Sequence, residues 1–230
     1  MTNGRVVVVT GAAGALGEAV LTHLTAEGWH VVALARERSL GRLDPATYAL
    51  ALPVDLLDAA AVRATIDEAA LRMGRLDALL CLAGGYVGGA SVADTPPARL
   101  EEQLHLNLMT AYHPVHAVLP HLLEAGGGAI VAVSSRPAIE AVRGSTAYAI
   151  AKLGVIKLIE QVSAEYRTHG VRANTIVPAI IDTPENRVAM PDADVDRWVR
   201  PDQIAAVLSF LISEDAEVIS GATIPVYGRG

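Results

Sequence analysis

Two side chains that could move a proton stand four residues apart in the run Ala147-Tyr148-Ala149-Ile150-Ala151-Lys152. From Ala147 onward the pattern is helical, so Tyr148 and Lys152 fall one turn apart on the same face. A free phenol titrates near about 10, and a positive charge within a few ångströms favours the phenolate. The pair therefore predicts a tyrosine that can exchange a proton at neutral pH.

The elements that must position this pair alternate along the chain. Residues 6–9 are a short β-branched apolar run, read as a strand buried on both faces, which ends in Thr10-Gly11-Ala12-Ala13-Gly14-Ala15-Leu16-Gly17. A helix follows to about residue 27. Glycines between a buried strand and a helix let the backbone approach a pyrophosphate, and the helix N-terminus adds N–H donors and a favourable dipole. Standing alone, such a turn is only a tight strand-to-helix connection; the next strand, 30–34, makes it part of a nucleotide-binding unit. That strand ends in Ala35-Arg36-Glu37-Arg38, where an acid would hold a ribose 2′-OH and an arginine a 2′-phosphate, so Arg36 favours NADP(H) over NAD(H).

Residues 39–46 contain Gly41 and Pro45 and are too broken for a full crossover helix. Strands are expected at 48–54, 76–82, 129–133, 171–177 and 223–226, and helices at 58–73, 98–123, 147–168 and 201–213. Pro114 and Pro120 should bend the second of these helices, and Pro225 points to an edge position for the last strand. The alternation predicts an α/β fold of the doubly wound Rossmann type. It has about seven parallel strands, helices on both faces and a single domain over 1–230. Four glycines at 84, 85, 88 and 89 suggest a close backbone approach to a ligand or a mobile lip. Loops 84–97 and 184–200 should form the mouth of the pocket.

Bulk numbers bound the reading. With 230 residues, 52% of them hydrophobic, the chain can bury a sizeable core, while no apolar run reaches the roughly 18 residues of a membrane span. Met1-Thr2-Asn3-Gly4-Arg5 runs straight into the first strand with no signal-peptide pattern. One cysteine, Cys81, excludes an intramolecular disulfide, so a cytoplasmic protein is expected. A net charge of −7 argues against nucleic acid as partner. His105, His113, His116 and His121 share one helix, but their spacings do not converge with a carboxylate, so no metal site is expected and solvated or interface histidines are.

In order and spacing, these motifs resemble the short-chain dehydrogenase/reductase family over nearly the whole chain. Thr10-Gly11-x-x-Gly14-x-x-Gly17 is similar to its cofactor turn, with Ala15 where glycine is commoner. Ala83-Gly84 matches the end of its Asn-Asn-Ala-Gly motif, with Cys81-Leu82 in place of both asparagines. Pro178-Ala179-Ile180-Ile181-Asp182-Thr183 resembles its Pro-Gly-x-x-x-Thr segment. Asn107, Ser135, Tyr148 and Lys152 match its catalytic tetrad, Ser135 standing thirteen positions ahead of the tyrosine.

The resemblance implies that Gly11, Ala13, Gly14, Ala15, Leu16 and Gly17 line the dinucleotide. Asp55 and Leu56 would meet the adenine, and Ala83, Gly84, Pro178, Ile181 and Thr183 would contact its remainder, with Tyr148 and Lys152. It also implies that Tyr148 is general acid and base, that Lys152 lowers its pKa and binds the nicotinamide ribose, that Ser135 donates to the substrate oxygen, and that Asn107 holds a water. A small alcohol or carbonyl compound is the implied partner, in a homodimer or homotetramer packed through helices 98–123 and 147–168. The latter helix is apolar nearly all round.

A narrower resemblance, to the dihydropteridine reductases of the same family, lies in Asp182-Thr183-Pro184-x-Asn186-Arg187-x-x-Met190-Pro191-x-Ala193-Asp194. Arg187 there could reach an anionic group. Those enzymes lack the serine present here as Ser135. Three functions follow: an NADP(H)-dependent carbonyl reductase or alcohol dehydrogenase, a dihydropteridine-reductase-like enzyme, and a non-catalytic NAD(P) sensor.

Overall fold

The computed structural model describes residues 4–229. The first three residues, on which the reading of the N-terminus partly rests, lie outside the described ones. Chain order is β1 (Val6–Thr10), α1 (Ala15–Ala26), β2 (His30–Ala35), the single turn α2 (Glu37–Leu40), β3 (Leu50–Pro53), α3 (Ala59–Met73) and β4 (Ala78–Cys81). Then come α4 (Pro97–Gln103), α5 (Thr110–Glu124), β5 (Gly128–Val133), α6 (Thr146–Tyr166), β6 (Val171–Pro178), α7 (Pro184–Ala189), α8 (Pro201–Ile212) and β7 (Thr223–Val226).

The seven strands form one parallel sheet in the order β3-β2-β1-β4-β5-β6-β7. Val7 stands beside Val31 on one side and Ala78 on the other, so β1 is central and the strand order reverses between β1 and β4. Every residue of β1 is buried, as its uninterrupted valines require. On one face, Val62 and Ile66 of α3, Val115 and Val118 of α5 and Val155 and Ile159 of α6 cover the sheet. On the other, Val20, Leu21 and Leu24 of α1 meet Ile204, Leu208 and Leu211 of α8. Pro225 lies in β7, which pairs only with β6, so its missing N–H costs no ladder bond.

Four elements differ from the sequence reading, the first being α7, which stands in the stretch 184–200 read as a loop, where the Thr183 side chain caps it by accepting from the Asn186 N–H. Strands β3 and β4 are shorter than expected, because Asp44 caps a 3₁₀ turn at Pro45–Thr47 just ahead of the one, and Asp77 turns inward to accept from the Val6 N–H at 2.7 Å just before the other. The broken crossover at 39–46 does hold only the turn of α2 and that 3₁₀ turn. The expected helix 98–123 is divided by a π-turn, Leu104–Met109, and both prolines lie beyond it inside α5. The Thr110 hydroxyl donates to the Leu106 carbonyl at 2.8 Å within this widened turn. Periodicity does not register such a turn, because the apolar stripe continues through it.

Among the described residues no helix is long and apolar enough to cross a membrane. Among them, too, no three of His, Cys, Asp and Glu cluster in a way that could hold a metal ion.

Candidate active site

A cleft of about 490 Å³ opens at the C-terminal ends of β1 and β4, where the strand order reverses. Gly11, with φ +67°, turns the chain out of β1; a Cβ there would lie 2.8 Å from the Ala83 N. A Cβ on Gly17 would stand 2.4 Å from the carbonyl oxygens of Gly11 and Ala12. Only glycine fits either place, so the turn is drawn tightly under α1. Gly14 at the N-cap of α1 brings no side-chain cap, which leaves the first helical N–H groups free for an anion. Thr10 ties the two strands at the cleft floor: its hydroxyl donates to the Leu80 carbonyl and accepts from the Leu82 N–H.

Gly11, Ala13, Gly14, Ala15, Leu16, Gly17, Arg36, Asp55, Leu56, Ala83, Gly84 and Thr183, the residues expected to meet a dinucleotide, all line this cleft. Tyr148, Lys152, Pro178 and Ile181, also expected at the cofactor, do not line it. Pro178 ends β6 inside the core, and Ile181 pairs with Val199 while its carbonyl accepts from Asn186. Leu34, Ser39, Leu57, Leu82, Leu106, Thr110 and Glu185 line it as well and were not anticipated. Thr110 was accessible to reasoning, being one turn beyond Asn107 on the same helix face. Arg36 is exposed and forms no ion pair among the described residues.

The four residues matching the tetrad converge beside the cleft. Ser135 follows β5 in extended backbone, and its side chain stands near enough to the Tyr148 phenol to draw the phenol's pKa down. Lys152 is buried, and its Nζ donates to the Val133 carbonyl at 2.9 Å; the Ser134 hydroxyl in turn donates to the Lys152 carbonyl at 2.8 Å. Asn107, fully buried, accepts from the Gly85 N–H at 3.1 Å and donates to the Gly85 carbonyl at 3.0 Å, while Gln103 accepts from it one turn earlier. Its side chain therefore secures the glycine lip directly. A Cβ on Gly84 would come within 2.7 Å of Asn107 Oδ1 and 2.9 Å of Lys152 Nζ, so these two groups face one another across a glycine.

The electrostatics correct the opening expectation. Burial pushes the Tyr148 phenol above its ordinary range, the Ser135 side chain pulls it down, and the neighbouring Tyr86 pushes it up; Lys152 is not among the groups that move it. Burial also lowers Lys152 from its ordinary 10.5 to about 8, because the ammonium is held in apolar surroundings against a carbonyl. Cys81, buried nearby at the end of β4, is pushed up to about 12 and is inert as a nucleophile. Helical spacing places the tyrosine and lysine together, but it does not say that the ammonium turns toward the sheet.

One residue stands differently from its reading, and another had none. Arg187 is committed to a bidentate pair with Asp182, at 2.6 and 2.8 Å, rather than free for a ligand. Tyr86 went unremarked in the sequence beyond its glycine neighbours, yet its ring meets Tyr148 edge to face at 5.0 Å. The histidines divide: His105 is solvated as expected and His116 stacks on Tyr112, while His113 and His121 have hydrogen-bond partners inside the chain.

A family model described as short chain dehydrogenase matches residues 5–194. The D-threitol dehydrogenase of Mycolicibacterium smegmatis is 32% identical over 98% of this chain and 92% of its own length. The meso-2,3-butanediol dehydrogenase of Serratia marcescens is also 32% identical, over 98% of this chain and 94% of its own. The crystal structure of an NAD+-bound xylitol dehydrogenase superposes with a TM-score of 0.90 at 25% identity, covering 98% of each chain.

Proposed function

Since this chain belongs to the short-chain dehydrogenase/reductase family, we propose that it is an NADP(H)-dependent oxidoreductase of small carbonyl compounds and alcohols, with Tyr148 as its general acid and base. The observation that carries this reading is the Ser135–Tyr148 hydroxyl pair standing beside a glycine cradle that admits no Cβ. The turn 11–17 would hold the pyrophosphate, Asp55 and Leu56 the adenine, and Lys152 and Thr183 the nicotinamide end. When bound, the nicotinamide supplies or accepts the hydride.

What the chain itself must do is manage a proton and a developing charge. Tyr148, whose phenol is too weak an acid to ionise in neutral water and is pushed further up by burial, holds a proton ready for a carbonyl oxygen. Ser135 steadies that oxygen as negative charge grows on it, a preorganised donor that need not reorient. Asn107 and Gln103 keep Gly85, and so the lip 84–89, in place. Loops 84–97 and 184–200 form the substrate side, with Tyr86 as an aromatic wall next to the proton donor. Ile150 and Leu153, about half exposed on α6, support a subunit contact through α5 and α6.

The D-threitol and meso-2,3-butanediol dehydrogenases, by their names, act on small alcohols, which supports the same substrate class here. Ser135→Ala tests it against the pterin alternative. Ketone reduction should fall roughly 10²- to 10³-fold, the usual cost of removing one such donor. Quinonoid dihydropterin reduction surviving at near wild-type rate, with no ketone accepted, would favour the alternative.

Arg36 supports NADP(H): it lines the cleft just past β2, it has no carboxylate partner among the described residues, and Ala35 offers no acid to a 2′-OH. Arg36→Ala should raise the Kd for NADPH roughly ten- to hundredfold, the worth of a charge-assisted hydrogen bond, and change that for NADH far less. Equal losses measured by nucleotide fluorescence would remove the 2′-phosphate assignment.

A further inference from the structure

His113, on α5, lies 57 positions from the residue it touches. Its Nδ1 is 2.8 Å from the Leu56 carbonyl oxygen, so that nitrogen carries the proton and donates. Leu56 belongs to the loop joining β3 to α3 and lines the cleft together with Asp55 and Leu57. The peptide that carries this carbonyl also carries the Leu57 N–H, which donates to Asp55 Oδ1 at 3.0 Å. A peptide unit is planar, so fixing the carbonyl at one edge fixes the N–H at the other, and with it the carboxylate that the N–H holds. Eight residues further along α5, His121 Nε2 reaches Asp67 Oδ1 on α3 at 2.7 Å, which pins the same helix to the same βα unit away from the cleft.

We propose that His113 is a positioning residue of the dinucleotide site: by holding the Leu56–Leu57 peptide it aims Asp55 and shapes the adenine end of the cleft. This rests on the reading of the cleft as a dinucleotide site. It assigns the histidine a role through Asp55 and Leu56 rather than contact with the ligand, and that role is separate from the 2′-phosphate selection given to Arg36. Because the adenine end is common to both nucleotides, its loss must fall on NADPH and NADH alike.

The test is the Kd of the full-length protein for NADPH and for NADH, by nucleotide fluorescence, in four variants. His113→Phe keeps a flat ring and removes the donor, and His113→Leu is a second donor-free variant. His113→Asn restores an N–H near the Nδ1 position. His121→Leu removes the distant latch. Both donor-free variants should raise the two Kd values by a similar factor of about three to ten, the worth of one hydrogen bond, with the cofactor KM following and kcat unchanged. His113→Asn should return both to within about twofold of wild type, and His121→Leu should lower Tm without changing either Kd.

The proposal is overturned if a folded donor-free variant binds both nucleotides as wild type does, if the loss is confined to NADPH, if His113→Asn binds as weakly as His113→Phe, or if His121→Leu raises both Kd values equally. Wild type that binds neither nucleotide would instead overturn the dinucleotide reading itself.

Discussion

Tyr148→Phe is expected to leave NADPH binding close to wild type and to lower turnover roughly 10²- to 10⁴-fold in both directions, the range ascribed to a positioned general acid or base. The substitution removes one oxygen from a ring that keeps its place against Tyr86, so the fold has little reason to change. The direction of the phenol's pKa makes a second, sharper expectation for the wild type. With burial holding the phenol above its ordinary range, the protonated form dominates throughout neutral pH, and that is the form carbonyl reduction requires. Reduction should therefore be nearly flat between about pH 6 and 8. Alcohol oxidation requires the phenolate and should climb with pH over the same interval, by up to about tenfold for each step of one. Substantial turnover by Tyr148→Phe, or an oxidation rate that falls as pH rises from 6 to 8, would remove Tyr148 from the proton path.

Why some of this was legible in the sequence and some was not has a physical basis. The strands were readable because a central parallel strand must be apolar on both faces, as the four valines of β1 are. The cradle was readable because close backbone approach leaves no choice of residue: neither Gly11 nor Gly17 tolerates a Cβ. Local spacing also put Tyr148 and Lys152 on one face. It could not say which way a long, flexible side chain turns, and Lys152 turns to Val133. The partner of Arg187 was hidden for the same reason, though only five residues away. His113 was illegible in a different sense, since the carbonyl it meets lies on another element and a backbone acceptor has no residue signature. The π-turn at Leu104–Met109 changes the hydrogen-bond register without interrupting the apolar pattern, so the burial of Asn107 and Gln103 emerged only in three dimensions.

Lys152 carries the other large expectation, in which stability and activity move in opposite directions. Its ammonium is buried and its pKa is lowered from 10.5 to about 8, so at neutral pH the folded state carries a charge that water would hold more cheaply. The depression corresponds to roughly 3 kcal/mol of lost stability at pH 7. Below about pH 8 both folded and unfolded chains hold the proton, and the cost is at its full size. Between about 8 and 10.5 the unfolded chain binds more protons than the folded one, so this group's contribution shifts toward the folded state as pH rises. Lys152→Met removes the charge and keeps an unbranched chain of similar length, at the cost of the hydrogen bond to Val133, worth about 1 kcal/mol. The variant should melt a few degrees above wild type at pH 7, with the advantage shrinking toward pH 10, while turnover falls at least roughly 10²-fold. Thermal melts at pH 7 and 9.5 beside a turnover assay distinguish the outcomes. A lower Tm at pH 7 would mean that Val133 and its surroundings depend on the ammonium more than burial penalises it. If stability is gained and activity lost together, the charge is kept at this position for its chemistry, against its cost to the fold.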